Sequence, residues 1–105
     1  MQKEQKTKEE IFQLLRSNTK QIKDFGVKRI GLFGSFVNNK QTKDSDIDFL
    51  VEFEKEKKSY RSFINLSFFL EELFGRKVDV LTNKSLSPFL ESHILKETEY
   101  VSLDN

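Results

Sequence analysis

The segment from Asp46 to Phe53 constrains the fold more than any other part of this chain, because its side chains alternate in character. Its odd positions are all apolar: Ile47, Phe49, Val51 and Phe53. Its even positions begin with Asp46 and Asp48. An alternation of period two predicts a β-strand with one buried face. Residues i and i+2 of a strand share a face, about 6 to 7 Å apart. Both aspartates are therefore expected on the face opposite the apolar one.

The rest of the chain predicts short elements around that strand. They are a helix from Ile11 to Phe25, a strand over Val27–Phe33, a helix over Ser59–Phe74, a strand over Lys77–Leu81 and a last helix from Ser87–Pro88 to about Lys96. The order helix, strand, strand, helix, strand, helix predicts an α+β fold. We expect a small mixed β-sheet with helices packed on one face.

Length and composition limit the class of protein. The 105 residues fit one domain, residues 1–105, with the polar residues 1–8 expected to be frayed. The absence of cysteine excludes disulfides, zinc–thiolate sites and thiol nucleophiles. A net charge of +1 predicts no direct binding of nucleic acid. No apolar stretch approaches the roughly 20 residues that span a bilayer, so we expect a cytoplasmic protein without membrane contact.

A third aspartate completes a candidate metal site. Asp79 lies on the predicted short strand, opposite the apolar Val78 and Val80. Adjacent strands of a sheet lie about 4.8 Å apart. If this strand is the neighbour of the strand with Asp46 and Asp48, the three carboxylates converge. Such carboxylates repel one another unless a cation holds them. Oxygen ligands of this kind suit Mg²⁺ together with substrate phosphates. A pair of Mg²⁺ ions about 3.5 to 4 Å apart would suit phosphoryl or nucleotidyl transfer.

Gly34 and Ser35 follow the first predicted strand and form a candidate phosphate-binding turn. A glycine lets backbone amides approach a phosphate closely, and one helical turn after it would add favourable polarity. Ser35 offers a hydroxyl group that can donate a hydrogen bond to the phosphate oxygens. The spacing differs from that of a Walker A loop. Each motif alone is weak evidence, since an Asp-x-Asp pair on a strand is usually a solvated face.

Together these motifs resemble a known signature. The segment GSFVNNKQTKDSDIDFLVEF, with KVDVL downstream, resembles the DNA polymerase β-like nucleotidyltransferase superfamily. In particular it is similar to the minimal nucleotidyltransferase (MNT) family, short proteins usually encoded beside a HEPN-domain partner. The resemblance runs from about Ile11 to Val101. It includes LEELFGRKVDVLT and the terminal ILKETEYV, which resemble the later helix, third strand and last helix of the family.

The resemblance implies a polymerase β-like nucleotidyltransferase fold and a role for each motif. Gly34 and Ser35 would hold the triphosphate of ATP, and Asp46 and Asp48 would ligate Mg²⁺. Asp79 would complete the metal site and accept the proton of the attacking hydroxyl. Members of the family transfer AMP from ATP. Some act as antitoxins that adenylylate a tyrosine of the partner HEPN toxin.

One departure from the family pattern keeps other functions open. After Gly-Ser and an aromatic residue the family commonly has a small residue, then Arg, then Gly, whereas this chain has residues 37–39, Val-Asn-Asn. Lys40 or Lys43 would have to supply the basic contact to phosphate. A catalytically weak antitoxin that neutralises its partner by binding is the alternative. A nucleotidyltransferase for small molecules is less favoured, because no second domain would shape its acceptor site.

Overall fold

A four-stranded mixed sheet organises the chain. The computed structural model describes residues 7–38, 40–42, 44–54, 60–82, 87–101 and 103. The elements are α1 (Lys8–Ser17), α2 (Thr19–Asp24), β1 (Val27–Phe33), a 3₁₀ turn (Gly34–Phe36), β2 (Ile47–Phe53), α3 (Tyr60–Phe74), β3 (Val78–Thr82), α4 (Pro88–Glu97) and β4 (Glu99–Val101). The strand order is β3-β2-β1-β4. β1 pairs antiparallel with β2 and β4, whereas β2 and β3 are parallel. The predicted α+β class with a mixed sheet is confirmed.

The first predicted helix is in fact two helices. α1 starts at Lys8, where Thr7 and Glu10 form a reciprocal capping box. Residues 7 and 8 are therefore ordered, and residues 1–6 lie outside the described part of the chain. The single helix predicted from Ile11 to Phe25 was wrong, because the helix breaks at Asn18. The Asn18 side chain donates to the Leu14 carbonyl oxygen (2.8 Å), and such local bonds compete with helical ones.

The predicted strands are present with small shifts at their ends. β1 has the predicted bounds, and β2 begins at Ile47, so Asp46 lies one residue before it. β3 begins and ends one residue later than predicted. α3 begins at Tyr60, and Ser59 lies outside the described residues.

The core lies between one face of the sheet and the first three helices. The helices contribute the buried side chains of Ile11, Leu15, Ile22, Leu66, Leu70 and Phe74. The strands contribute Ile30, Leu32, Ile47, Phe49, Val51, Val78, Val80 and Val101. This arrangement confirms helices on one face, with α4 as an exception because it has no buried residue. Phe68 of α3 lies outside this core, since 65% of it is exposed. None of the helices within the described ranges is long and apolar enough to cross a membrane.

The terminal segment ILKETEYV forms the end of a helix and then a strand, whereas the sequence predicted only a helix. Both the N–H and the hydroxyl of Thr98 donate to the Ile94 carbonyl oxygen, at 3.0 and 2.6 Å, which ends α4. β4 then pairs with β1, with Tyr100 opposite Gly31. A Cβ atom at Gly31 would lie 2.6 Å from the Thr98 methyl carbon, so glycine allows this close approach. Three residues are too few for a periodic signal.

Candidate functional site

The residues singled out from the sequence meet at one end of the sheet. β1 is antiparallel to β2, and β2 is parallel to β3. The carboxyl end of β1 therefore lies beside the amino ends of β2 and β3. Gly34 and Ser35 follow β1, Asp46 precedes β2, and Asp48 and Asp79 are the second residues of β2 and β3.

Asp48 and Asp79 form the centre of this arrangement. They are register partners on the parallel strands, so their side chains lie on the same face about 4.8 Å apart along the sheet. On the other side of β2, Asp48 pairs with Phe33, the last residue of β1. Asp48 is partly buried and Asp79 is exposed. The sequence left open whether these two strands are neighbours, and the structure shows that they are.

The electrostatics of Asp48 reflect this crowding. Burial, followed by the negative charges of Asp79, Asp46 and Glu97, raises the pKa of Asp48 to about 6. Burial and like charges both disfavour an ionised carboxylate. A cation placed between these carboxylates would reverse the effect. The site is therefore one where positive charge is favoured.

Asp46 lies at the edge of this group. It is exposed, one residue before β2, although its charge still acts on Asp48. The approach to β2 is fixed by Arg76, whose Nη1 donates to the Ser45 carbonyl oxygen at 3.0 Å. The Arg76 guanidinium also lies 5.4 Å from the centre of the Phe36 ring. Sequence reasoning missed Arg76, because its partners are 31 and 40 positions away.

The turn after β1 is built on a glycine in the left-handed region. Gly34 has φ +83°, and a Cβ atom there would overlap Oδ2 of Asp48. The Asp48 carboxylate therefore packs directly against the Cα of Gly34. Phe36 at the end of the turn is fully buried and anchors it to the core. Ser35, the next residue, is partly buried.

The segment that departs from the family pattern stabilises the turn. The Val37 N–H and the Asn38 side-chain amide both donate to the Gly34 carbonyl oxygen, at 3.1 and 3.2 Å. The backbone N–H of Lys40 donates to the Ser35 carbonyl oxygen at 2.9 Å, and Lys40 is exposed. Lys43, the other candidate for a basic contact, lies outside the described residues.

Glu97, which the sequence did not single out, contacts this turn directly. Gly34 N–H donates to Oε1 of Glu97 at 3.0 Å. The second oxygen, Oε2, lies 3.9 Å from Nε2 of His93 one helical turn earlier. The Glu97 charge also acts on Asp48. No local pattern signals this contact, since 63 positions separate Gly34 from Glu97.

The donor set fits Mg²⁺ as part of a shared site. Within the described ranges, no three acidic, imidazole or thiol side chains already converge enough to hold a metal ion. Asp48 and Asp79 supply hard oxygen donors that are adjacent by register. Mg²⁺ is commonly bound by one or two carboxylates plus substrate phosphates, which such a site would accommodate.

Comparisons with known proteins show which family this chain resembles. A family model described as nucleotidyltransferase domain matches residues 8–101. The protein adenylyltransferase MntA of Thermococcus cleftensis is 42% identical over 96 residues, which cover 90% of this chain and 96% of that protein. A solved structure provisionally assigned as a minimal nucleotidyltransferase superposes with a TM-score of 0.70 at 29% identity, covering 84% of this chain and 93% of that one.

A solved toxin–antitoxin structure with AMP-PNP is also similar. It gives a TM-score of 0.62 at 26% identity and covers 86% of this chain and 68% of that one. The family match spans nearly all of the described residues, from the start of α1 to the end of β4. The sheet end with Gly34, Asp48 and Asp79 lies within it. This chain therefore belongs to the nucleotidyltransferase domain family.

Proposed function

We propose that this protein transfers AMP from ATP to a tyrosine hydroxyl group of a HEPN-domain toxin and thereby acts as its antitoxin. The observation that carries the proposal is the register pair of Asp48 and Asp79 beside the Gly34 turn. A pair of carboxylates next to a glycine turn suits nucleotidyl transfer. The adenylyltransferase name of the Thermococcus cleftensis relative and the AMP-PNP in the similar toxin–antitoxin structure support the same reaction.

Gly34 and Ser35 are assigned to the triphosphate. The positive φ of Gly34 leaves its Cα without a side chain on the face toward Asp48. The following 3₁₀ turn, Gly34–Phe36, carries the Ser35 hydroxyl and the next backbone amides directly after the end of β1. Backbone amides at such a turn bind phosphate oxygens, as at a helix amino terminus. The triphosphate and the carboxylates would thus share one site.

Asp46, Asp48 and Asp79 are assigned to a pair of Mg²⁺ ions held jointly with the triphosphate. Bound Mg²⁺ would neutralise the negative charge that builds up on the phosphates. Asp79 is exposed, so a hydroxyl group presented by a partner protein can reach it. We assign it the role of general base.

The reaction is an in-line displacement at the α-phosphorus of ATP. The acceptor oxygen forms a bond to that phosphorus, and the bond from the phosphorus to the oxygen bridging to the β-phosphate breaks. Pyrophosphate leaves with the electrons of the broken bond. The hydroxyl proton passes to the Asp79 carboxylate. The product is an AMP phosphodiester on the acceptor.

A binding-only antitoxin is the second candidate, and one observation favours it. Val37 and Asn38 stand where the family commonly has a small residue and Arg. Asn38 contacts the Gly34 carbonyl oxygen, so it supports the turn without adding positive charge. A site with less positive charge would bind triphosphate more weakly. Contact alone would then have to neutralise the partner.

Mass spectrometry of the partner distinguishes the two functions. The toxin is treated with a small molar fraction of this protein, Mg²⁺ and ATP, and the protein is then removed. An enzyme leaves one or more AMP increments on an inactive toxin. The Asp48→Asn variant should leave none, whereas Asp44→Asn, which changes a nearby exposed carboxylate, should act like the wild type. A toxin that is unmodified, and inhibited only in a stoichiometric complex, would contradict the proposal.

A further inference from the structure

We propose that Glu97 is a positioning residue for this transfer reaction, because its carboxylate fixes the Gly34 peptide and holds the Gly34–Ser35 turn ready for the triphosphate. The inference rests on the proposed function and adds a residue from the opposite end of the chain to the site. Glu97 acts through the turn and is not assigned to the metal or the nucleotide.

The contact itself is direct and charge-assisted. Oε1 of Glu97 accepts the Gly34 N–H at 3.0 Å. Hydrogen bonds with an ionised acceptor are stronger than neutral ones. Gly34 lies just beyond Phe33, the last residue of β1 that pairs with β2. At this point the backbone leaves the sheet, and the Glu97 carboxylate accepts the hydrogen bond of the Gly34 N–H.

The backbone of Glu97 is held on both sides. It is the last residue of α4, and the next residue, Thr98, bonds twice to the Ile94 carbonyl oxygen. Glu99 then pairs with Leu32 on β1. These contacts fix the backbone of Glu97 within reach of Gly34. The Gly34 N–H at 3.0 Å and His93 Nε2 at 3.9 Å are the contacts of its two carboxylate oxygens.

The turn needs such support because it is built on glycine. Gly34 adopts φ +83°, but glycine populates negative and positive φ about equally. The Asp48 carboxylate packs on one side of Gly34, and the Glu97 carboxylate binds its N–H. Phe36 anchors the far end of the turn in the core. Without Glu97, the Gly34 N–H loses its acceptor, and the amides that follow are held less firmly.

Two substitutions separate the hydrogen bond from the charge. Glu97→Gln keeps an acceptor oxygen at nearly the same place and removes the charge, whereas Glu97→Ala removes both. Glu97→Asp withdraws the carboxylate by one methylene and tests the same contact if the alanine variant does not fold. Glu91→Gln is the matched control, since Glu91 lies on α4 in its first turn, away from Gly34.

The first measurement is amide hydrogen exchange of Gly34 by NMR, without nucleotide or metal. We expect Glu97→Ala and Glu97→Asp to speed this exchange about tenfold or more, as expected for loss of a hydrogen bond to a charged group. Glu97→Gln should keep most of the protection, and Glu91→Gln all of it. Unchanged Gly34 exchange in a folded Glu97→Ala variant would overturn the inference.

The second measurement is ATP affinity by calorimetry with Mg²⁺, followed by KM and kcat for transfer. Glu97→Ala should weaken ATP binding and raise KM about tenfold with a smaller change in kcat, because the turn holds the triphosphate in ground and transition states alike. Glu97→Gln should keep an ATP affinity and a KM close to those of the wild type. Tighter ATP binding in both variants would show that Glu97 competes with phosphate, which overturns the inference. If the wild type transfers no AMP, the proposed function fails, and exchange and calorimetry still decide the role of Glu97.

Discussion

Asp48 of β2 and Asp79 of β3 are register partners, so two carboxylates lie side by side on the face of the sheet that α1, α2 and α3 leave uncovered. The parallel pairing produces this neighbourhood, because each aspartate is the second residue of its strand. The turn after β1 lies next to this pair, with the Cα of Gly34 packed against the Asp48 carboxylate. Without a bound metal ion, the repulsion between these charges lowers the free energy of unfolding.

Removing the Asp48 charge should stabilise the metal-free protein in a pH-dependent way. The pKa of Asp48 is raised from 3.8 to about 6 in the folded state, so its ionised form opposes folding. Folding stability is therefore lost as pH rises from about 4 through 6. Asp48→Asn should melt at a higher temperature than the wild type at pH 8, and the difference should shrink as the pH falls toward 4.

Thermal melts in chelator from pH 4 to pH 8 test this prediction. Asp44→Asn is the control, and it should follow the wild type at every pH. A lower melting temperature for Asp48→Asn at pH 8 would instead mark Asp48 as a structural residue.

Mg²⁺ and ATP should bind jointly. Asp48 and Asp79 provide only part of a coordination shell, and no tighter acidic cluster exists within the described ranges. Mg²⁺ alone should therefore bind weakly, and triphosphate oxygens should complete its shell. Isothermal titration of ATP with Mg²⁺ and with chelator measures the coupling. An ATP affinity that chelator leaves unchanged would argue against a shared site.

Gly34→Ala should abolish transfer and destabilise the fold. A Cβ atom at Gly34 would overlap Oδ2 of Asp48, and φ +83° is strained for alanine. Gly75→Ala is a matched control, because Gly75 also has positive φ (+65°) but nothing lies within 4 Å of its Cβ position. The control should lose only about 1 kcal/mol of folding stability, the cost of holding alanine in the left-handed backbone region. It should keep full activity. Chemical denaturation and AMP transfer assays compare the two, and equal effects on activity would remove Gly34 from the site.

Ser35→Ala should weaken triphosphate binding modestly. A single hydroxyl hydrogen bond is worth about 1 kcal/mol, so ATP affinity should fall about fivefold. The fold should be unaffected, because Phe36 and the Gly34 carbonyl contacts still hold the turn. Calorimetry with Mg²⁺ and ATP measures the change. Loss of all metal binding in this variant would mean that Ser35 supports the carboxylates and not the phosphate.

The sequence by itself determined the elements that have a local pattern. Alternation predicted β1 with its observed bounds and β2 within one residue, because burial on one face of a strand repeats every second residue. Ser87 followed by Pro88 predicted the start of α4, since capping is a contact between near neighbours. The spacing of Asp46, Asp48 and Asp79 after Gly34 and Ser35 also indicated the family. The roles of these five residues remain predictions.

Only the tertiary structure decided the features that join distant parts of the chain. The strand order placed Asp79 beside Asp48 and added β4 on the far side of β1, although three residues carry no periodic signal. The tertiary fold also brings Glu97 to Gly34, 63 positions away, and Arg76 to Ser45, 31 positions away. Periodicity reports whether a residue is buried, whereas the partner of a side chain depends on how the strands pair. The candidate reactive groups could therefore be read from the sequence, and the residue that supports their turn could not.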